Sequence, residues 1–461
     1  MAVKVNDYLI SDFEIEKEEE RLASYLQREP NLPVNPDQLK KWAEENLIER
    51  VLLLNFLKEN PKLTPADIEL KNEKLFDKLR KSTSIVKLRQ KPLKVQRKLR
   101  FLLIKPAGPD CNMNCYYCFY LSRKNFFGRA KHRMKHSVLL ELIFQISTQG
   151  EDNFYICWQG GEPTLMGLEF YEKAVSFLKF FAADKRIFHS FQTNGLLLNE
   201  KWAEFFRKEN FLVGISLDGP RQVHDHFRKN LSGKGTFEVV RKKLEMLLKA
   251  GVKVNVLAAV TSFSAKFPKE IYNFFKSIGV KYIQFIPIVE RLNSREVAPF
   301  SVSPEGYGKF LIEIFDQWVK DLERGTPVSI RFFDSLLLKI AGAPSPDCEL
   351  QEECGTYLVV EHDGSVYSCD FYVDSQHLVG NIQKGKLIDF LNSEQQISFG
   401  KTKAFLPEKC LRCEWLSLCR GGCPRLRFEF LKGENYLCKG YKIFFQHAVE
   451  KLRKLRESSI V

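Results

Sequence analysis

Apolar positions along this chain recur at two different periods, and the changes of period divide it into segments. From Arg100 to about Glu290, short apolar runs alternate with stretches in which apolar residues return every three or four positions. The runs predict strands at Phe101–Lys105, Asn153–Trp158, Phe188–Thr193, Val213–Leu217, Lys253–Val260 and Tyr282–Pro287. The stretches between them predict helices at Val138–Ser147, Leu168–Ala182, Glu200–Lys208, Thr236–Ala250 and Pro268–Ile278. Strands that alternate with helices imply βαβ units and parallel pairing.

The helical period dominates on either side of this segment. Asn35-Pro-Asp-Gln precedes LKKWAEENLIERVLLLNFLKEN, and Thr64-Pro-Ala-Asp precedes IELKNEKLFDKLRK. Proline in the first turn and charged opposite faces predict two or three amphipathic helices there. After the alternating segment, Pro304–Glu323 reads as one helix. Tyr357–Glu361 and Ser365–Cys369, joined by Asp363-Gly364, then read as a β-hairpin. The expected organisation is a helical extension with a basic linker (1–95), an α/β unit (96–300), a helical connector (301–345), a cysteine-rich unit (346–440) and a terminal helix (441–461). At 461 residues the chain exceeds a single core, in keeping with several units.

Composition narrows the function classes. No uninterrupted run of about eighteen apolar residues occurs, and MAVKVNDYLISDFEIEKEEE lacks the apolar core of a signal peptide, so a soluble cytoplasmic protein is expected. Net charge is +14, and much of the excess is local, with ten basic and no acidic residues between Lys78 and Arg100. A solvated interdomain linker is the commoner meaning of such a run, and no nucleic-acid motif accompanies it. The expectation is therefore a protein without a nucleic-acid or membrane partner.

Twelve cysteines in a long chain without an export signal point to a reduced compartment and metal ligation rather than disulfides. Cys111, Cys115 and Cys118 stand at C-x3-C-x2-C spacing just after the first strand of the α/β segment. Three thiolates so close in sequence can wrap one soft iron–sulfur centre, and three ligands on four irons leave one iron open for chemistry. The bland alternative is a structural zinc site. A second field holds Cys348, Cys354 and Cys369, then Cys410, Cys413, Cys419 and Cys423 at C-x2-C-x5-C-x3-C spacing, and finally Cys438. Eight cysteines suffice for two fully ligated four-iron clusters or for two zinc sites. Cys157, mid-strand, reads as a small core residue. His224 and His226 read as structural or solvated.

CNMNCYYCFY resembles the cluster loop of radical S-adenosylmethionine enzymes, and the cysteine-rich unit resembles the SPASM extension, a twin-cluster domain. With WQGGEPTL, SLDGP and SCDFYV, residues 100 to 450 are most similar to anaerobic sulfatase-maturating enzymes. The resemblance implies a partial (β/α)6 barrel with loops at the strands' carboxyl ends, S-adenosylmethionine as cofactor and three [4Fe-4S] clusters. It places Cys111, Cys115 and Cys118 on the first cluster, and Cys348, Cys354, Cys369 and Cys423 on one auxiliary cluster. Cys410, Cys413, Cys419 and Cys438 fall on the other. It matches Tyr117, Gln159, Gly160, Gly161, Glu162, Ser216, Arg228 and, more loosely, Val289 to cofactor contacts. Read from the residues, paired glycines let a backbone approach a ligand, and Glu162 offers a carboxylate to an ammonium group. Gln192-Thr-Asn-Gly195 and Ser216-Leu-Asp-Gly-Pro220 are also what turn chemistry alone would select.

The resemblance further implies oxidation of a Cys or Ser side chain in a sulfatase polypeptide to Cα-formylglycine, a ferredoxin- or flavodoxin-like electron donor, and a monomer. Asp370 matches the proposed catalytic base; its alternative role is to accept backbone hydrogen bonds at a hairpin end. Other readings are a SPASM maturase that crosslinks or epimerises a ribosomal peptide, a binding protein with structural clusters, and a nucleic-acid modifier. The N-terminal extension departs from the ordinary maturase pattern. It shows no alternating strand pattern, which argues against a winged-helix leader-binding module.

Overall fold

The computed structural model describes residues 2–26, 35–68, 76, 79–81, 83–88 and 96–457. Two sheets organise them. The smaller joins β1 (Ala2–Val5), β2 (Tyr8–Ile10) and β3 (Ile85–Leu88) in the order β2-β1-β3, all antiparallel. The larger has ten strands, β4 (Phe101–Lys105), β5 (Asn153–Trp158), β6 (Arg186–Thr193), β7 (Leu212–Ser216), β8 (Lys253–Val260), β9 (Tyr282–Pro287), β10 (Ser329–Ile330), β11 (Leu358–Glu361), β12 (Ser365–Tyr367) and β13 (Leu378–Asn381). Its order is β10-β9-β8-β7-β6-β5-β4-β11-β12-β13.

From β10 to β11 every pairing is parallel, and the two at the β13 end are antiparallel. The six predicted strands form its centre, four at the expected limits and β6 and β7 shifted at their ends. The sheet is open among the described residues, so it is a partial barrel. Two strands lie beyond it. β10, inside the expected helical connector, adds to β9, and β11 of the cysteine-rich unit adds to β4 with Glu361 opposite Lys105. The two main units therefore share one sheet.

Helices α1 (Asp12–Leu26) and α2 (Pro36–Glu59) belong to the N-terminal extension, and α2 begins at the expected cap, where the Asn35 side chain accepts from Asp37 N–H at 3.0 Å. The expectation of an all-helical extension is corrected by β1–β3. Two of these strands are three and four residues long, and the third lies some eighty residues away, too little local pattern for a period of two to register. Thr64 caps a short 3-10 turn, Pro65–Asp67, through Asp67. The helix expected over 68–81 and the basic linker at 89–95 lie largely outside the described residues.

The extension docks on α3 (His136–Gln149), of which every residue from Val138 to Gln149 is buried. Glu14 sits at the junction, 1% exposed, accepting from Ser11 N–H (2.9 Å), Thr148 Oγ1 (3.0 Å), Gln149 Nε2 (3.3 Å) and Lys386 Nζ (3.0 Å). Lys58 pairs with Glu141 at 2.6 Å, and Arg50 donates to Ser147 Oγ and the Phe181 carbonyl. α3 is buried on nearly all sides because the helix Leu168–Phe181 packs against it and the extension covers another face, so its polar residues are met by partners rather than water.

The remaining long helices are α4 (Leu168–Phe181), α5 (Glu200–Lys208), α6 (Phe237–Lys249), α7 (Pro268–Ser277), α8 (Pro304–Glu323), α9 (Arg331–Ile340) and α10 (Cys438–Glu457). The terminal helix starts earlier than expected, at Cys438. α8 and α10 cross where Gly308 faces Gly440; a Cβ on Gly440 would fall 2.2 Å from the Pro304 carbonyl oxygen.

Candidate active site

The three-cysteine loop follows β4, at the carboxyl end of the parallel strands, where α/β sheets keep their chemistry. Its backbone is gripped by the loop after β5. Gly161 N–H donates to the Gly108 carbonyl at 2.8 Å and Glu162 N–H to that of Asp110 at 2.7 Å. A Cβ on Gly161 would sit 2.0 Å from the Asp110 oxygen, and Gly160 has φ +131°. The close approach predicted for these glycines is thus to the cysteine loop itself. Asp110 is held in turn by His132 (N–H and Nδ1, both 2.9 Å) and by Arg133 at 2.7 Å.

Glu162, expected to meet an ammonium group, is fully buried. It accepts from Thr164 N–H (3.0 Å), Thr164 Oγ1 (2.6 Å), Thr193 Oγ1 (2.7 Å) and Asn194 N–H (2.8 Å), tying the β5 loop to the end of β6. Burial pushes its carboxyl above the usual range against those donors. Asn194 reaches the cysteine loop as well, with Nδ2 2.7 Å from Asn112 Oδ1 and 3.6 Å from Cys111 Sγ.

A second knot forms where β7 and β8 end. Asp218 is 3% exposed; it accepts from Tyr117 Oη at 2.7 Å and Ala259 N–H at 2.9 Å, and pairs with Arg228 Nε at 2.9 Å. The Arg228 guanidinium lies 5.5 Å from the Tyr117 ring centre. It also lowers the Cys115 thiol, which burial pushes up to about 11 overall. Tyr117 and Arg228 are thus brought to the cysteine loop. Ser216 ends β7, next to this knot, whereas Val289 follows β9 inside the apolar core. His224 is buried, bonded to Asp218 N–H and Thr236, as its structural reading required. Sequence reasoning missed Asp218, reading its turn as backbone chemistry. A carboxylate at the carboxyl end of a buried strand was the available signal.

Asp370 reaches the same end of the sheet from the hairpin side. Because β11 lies beside β4, the carboxylate forms an ion pair with Lys105, the last residue of β4, whose side chain is fully buried. Gln159 Nε2 donates to Asp370 Oδ2 at 3.3 Å. Lys105 Nζ also stands 3.4 Å over the Tyr120 ring, and Tyr120 Oη donates to the buried Glu361. Lys105, Tyr120 and Glu361 were not singled out in the sequence; a lysine ending an otherwise apolar strand was the clue.

No two of the twelve cysteines form a disulfide, and Cys157 is buried mid-strand. Cys410, Cys413, Cys419 and Cys438 line one hollow together with Trp415, Tyr441 and other residues. Cys348 is under the electrostatic influence of Cys369, Cys423 and Cys354. Burial pushes Cys111 and Cys423 up to about 12, and Cys354 and Cys438 up to about 11, so these thiols ionise only against a positive centre. Among the described residues no three His, Cys, Asp or Glu side chains converge as a single metal ion would require. Four thiols around a hollow suit a multi-iron cluster better than one zinc ion.

Comparison with known proteins agrees with this chemistry. Residues 106–275 match the Radical SAM superfamily and residues 348–414 an iron-sulfur cluster-binding domain, SPASM. A serine-type anaerobic sulfatase-maturating enzyme of Bacteroides thetaiotaomicron is 41% identical over 369 residues, which cover 75% of this chain and 89% of that protein. A cysteine-type enzyme of Clostridium perfringens is 38% identical over 357 residues, covering 76% and 96%. The solved structure of anSMEcpe with bound AdoMet and Cp18Cys peptide superposes with a TM-score of 0.73 at 37% identity, over 78% of this chain and 99% of that one. No helix among the described residues is long and apolar enough to cross a membrane. The chain belongs to the anaerobic sulfatase-maturating enzymes, radical S-adenosylmethionine enzymes that carry iron–sulfur clusters and a SPASM domain and act on a protein or peptide.

Proposed function

We propose that the chain oxidises one Cys or Ser side chain of a sulfatase polypeptide to Cα-formylglycine, with Asp370 as the base. The observation that carries this reading is the shared sheet. β11 beside β4 supports a carboxylate from the SPASM unit standing between Lys105 and Gln159, next to the three-cysteine loop.

Cys111, Cys115 and Cys118 would hold the first cluster, and Tyr117, Gln159, Gly160, Gly161, Ser216, Arg228 and Val289 would line the S-adenosylmethionine site, with Glu162 fixing the loop's shape. Cys348, Cys354, Cys369 and Cys423 would hold one auxiliary cluster and Cys410, Cys413, Cys419 and Cys438 the other. When bound, these groups would supply hydrogen-atom abstraction at the substrate Cβ and an acceptor for the second electron. Asp370 takes the remaining proton, from the thiol or hydroxyl. Lys105 orients the carboxylate through their ion pair, and Gln159 restricts its second oxygen. A Ser substrate yields the aldehyde directly; a Cys substrate yields a thioaldehyde that water hydrolyses. A ferredoxin- or flavodoxin-like donor feeding a monomeric enzyme completes the reading.

The test is anaerobic incubation of reconstituted protein with Cys-x-Pro-x-Arg and Ser-x-Pro-x-Arg peptides, followed by mass spectrometry for the aldehyde. In Asp370→Asn, release of 5′-deoxyadenosine should continue while aldehyde falls by about 100-fold or more, the usual weight of a positioned base. Full aldehyde yield from that variant removes Asp370 from the mechanism.

A further inference from the structure

Two cations lie between the auxiliary cysteine groups, each bonded to carbonyls of the loops that carry those cysteines. Lys403, on the short turn Thr402–Ala404, is 1% exposed. Its Nζ donates to the carbonyl of Gln351 and, at 3.4 Å, to that of Arg420. Gln351 lies between Cys348 and Cys354, and Arg420 between Cys419 and Cys423, so one ammonium ties together a loop from each group. Arg427 donates to the carbonyls of Phe405 (3.0 Å), Gly421 (3.2 Å), Arg420 (3.4 Å) and Gly422 (3.5 Å). The Arg420 carbonyl is shared by both cations.

The loop from Cys419 to Cys423 is shaped for this arrangement. Arg420, Gly421 and Gly422 have φ of +46°, +71° and +63°, three successive residues in the left-handed region, the first of them not a glycine. Such a turn aims three consecutive carbonyls at Arg427 and leaves the Gly421 N–H 3.4 Å from Cys419 Sγ.

Neither cation has a carboxylate within ion-pair distance among the described residues. Three acids of this region are engaged elsewhere, Asp347 with Arg331, Glu352 with Arg420 at 3.9 Å and Glu434 with Lys409 at 2.8 Å, and the buried Glu349 feels the charge of Lys403 from beyond ion-pair distance. Burial, then the charge of Arg427, pushes Lys403 down to about 8, while Cys354, Cys348 and Cys423 pull it back up. Arg427 is lowered by burial and raised by Cys410, Cys423, Cys354 and Cys419, sulfurs of both groups. A buried cation is strongly disfavoured unless an anion balances it, and carbonyl dipoles do so only in part. Two mutually repelling cations held here call for more counter-charge than one carboxylate beyond ion-pair distance provides. Thiolates around an anionic iron–sulfur centre supply it.

The geometry points to Lys403 and Arg427 as a cationic partition between the auxiliary clusters that raises the reduction potential of the cluster on Cys348, Cys354, Cys369 and Cys423. It does so by favouring the form that holds one more electron. The inference rests on the cluster assignment proposed above. It extends that assignment by saying which residues make this cluster a competent acceptor for the electron leaving the substrate. Both cations act through the cluster and touch no substrate.

The test is a potentiometric titration followed by electron paramagnetic resonance, with iron counted in each sample, on the wild type, Lys403→Met and Lys403→Arg. With full iron in all three, Lys403→Met should lower the auxiliary midpoint by at least a tenfold change in the reduction equilibrium, about 59 mV for a one-electron couple, and Lys403→Arg should restore it. Full iron with an unmoved midpoint in Lys403→Met overturns the proposal. If Lys403→Met loses iron, retention of iron by Lys403→Arg supports a role for the charge, whereas equal loss in both overturns it in favour of a packing role. A wild-type chain that reconstitutes only the three-cysteine cluster overturns the assignment beneath it, and the iron count reveals this before any variant is compared.

Discussion

Replacing Lys105 by Met isolates what the buried ion pair contributes. The lysine side chain is fully buried and that of Asp370 is 12% exposed, and a second buried carboxylate, Glu361, lies on the neighbouring strand. Methionine fills a similar volume, so the perturbation is loss of charge rather than a cavity. Removing one partner of a buried pair costs about 3–5 kcal/mol, because the other charge is left uncompensated. An unfolding entropy near 2.1 cal/mol/K per residue amounts to about 1 kcal/mol/K for 461 residues. The melting temperature should therefore fall by about 3–5 °C if the chain melts as one unit. Lys105→Met combined with Asp370→Asn removes both charges, and neutralising a whole buried pair is close to neutral, so the double variant should recover most of the loss. The assay is anaerobic differential scanning calorimetry of the reconstituted wild type, both single variants and the double variant. A single Lys105→Met variant melting within about 1 °C of wild type would refute the reasoning. So would a double variant no more stable than Lys105→Met.

Gly161→Ala places a Cβ 2.0 Å from the Asp110 carbonyl oxygen, and backbone cannot yield as a flexible side chain can; reconstitution should lose iron from the three-cysteine site, read by iron count and visible absorption. Asp218→Ala releases Tyr117 and Arg228 together, and equilibrium dialysis should show S-adenosylmethionine binding weakened on the order of tenfold, about 1.4 kcal/mol. Tyr120→Phe leaves Glu361 without its hydroxyl donor, and denaturant unfolding should register about 1–3 kcal/mol of destabilisation. Docking of the extension should depend on pH through Glu14. Burial raises its carboxyl, but Lys386 and the Ser11 donors hold it below the usual range. A lowered folded value contributes stability that is complete above the unfolded pKa, about 4.3, and is lost as pH falls through the folded value. Limited proteolysis between α2 and β4 should accelerate over that acid window in the wild type, and Glu14→Gln should abolish the pH dependence.

Much of this molecule was legible before folding because the informative patterns are local. A stretch of strand buried on both faces, such as residues 256–260 of β8, must be a continuous apolar run. A helix such as α8 must repeat its apolar face every three to four residues. The three cysteines of the first loop sit a few residues apart, as a short loop able to wrap one inorganic centre requires. These properties belong to stretches of chain and survive without a partner. Tertiary structure alone decided what depends on distant register. β11 lies beside β4, with Leu358 opposite Leu102, and only that pairing carries Asp370 to Lys105. β3 meets β1 across the whole extension. The close approach of Gly161 proved to be to a backbone oxygen of the cysteine loop, and an aspartate in an ordinary turn proved to hold Tyr117 and Arg228. Hydrophobic period is a property of neighbours in sequence. Which carboxylate meets which cation is settled by desolvation, when segments hundreds of residues apart are packed into one dry site.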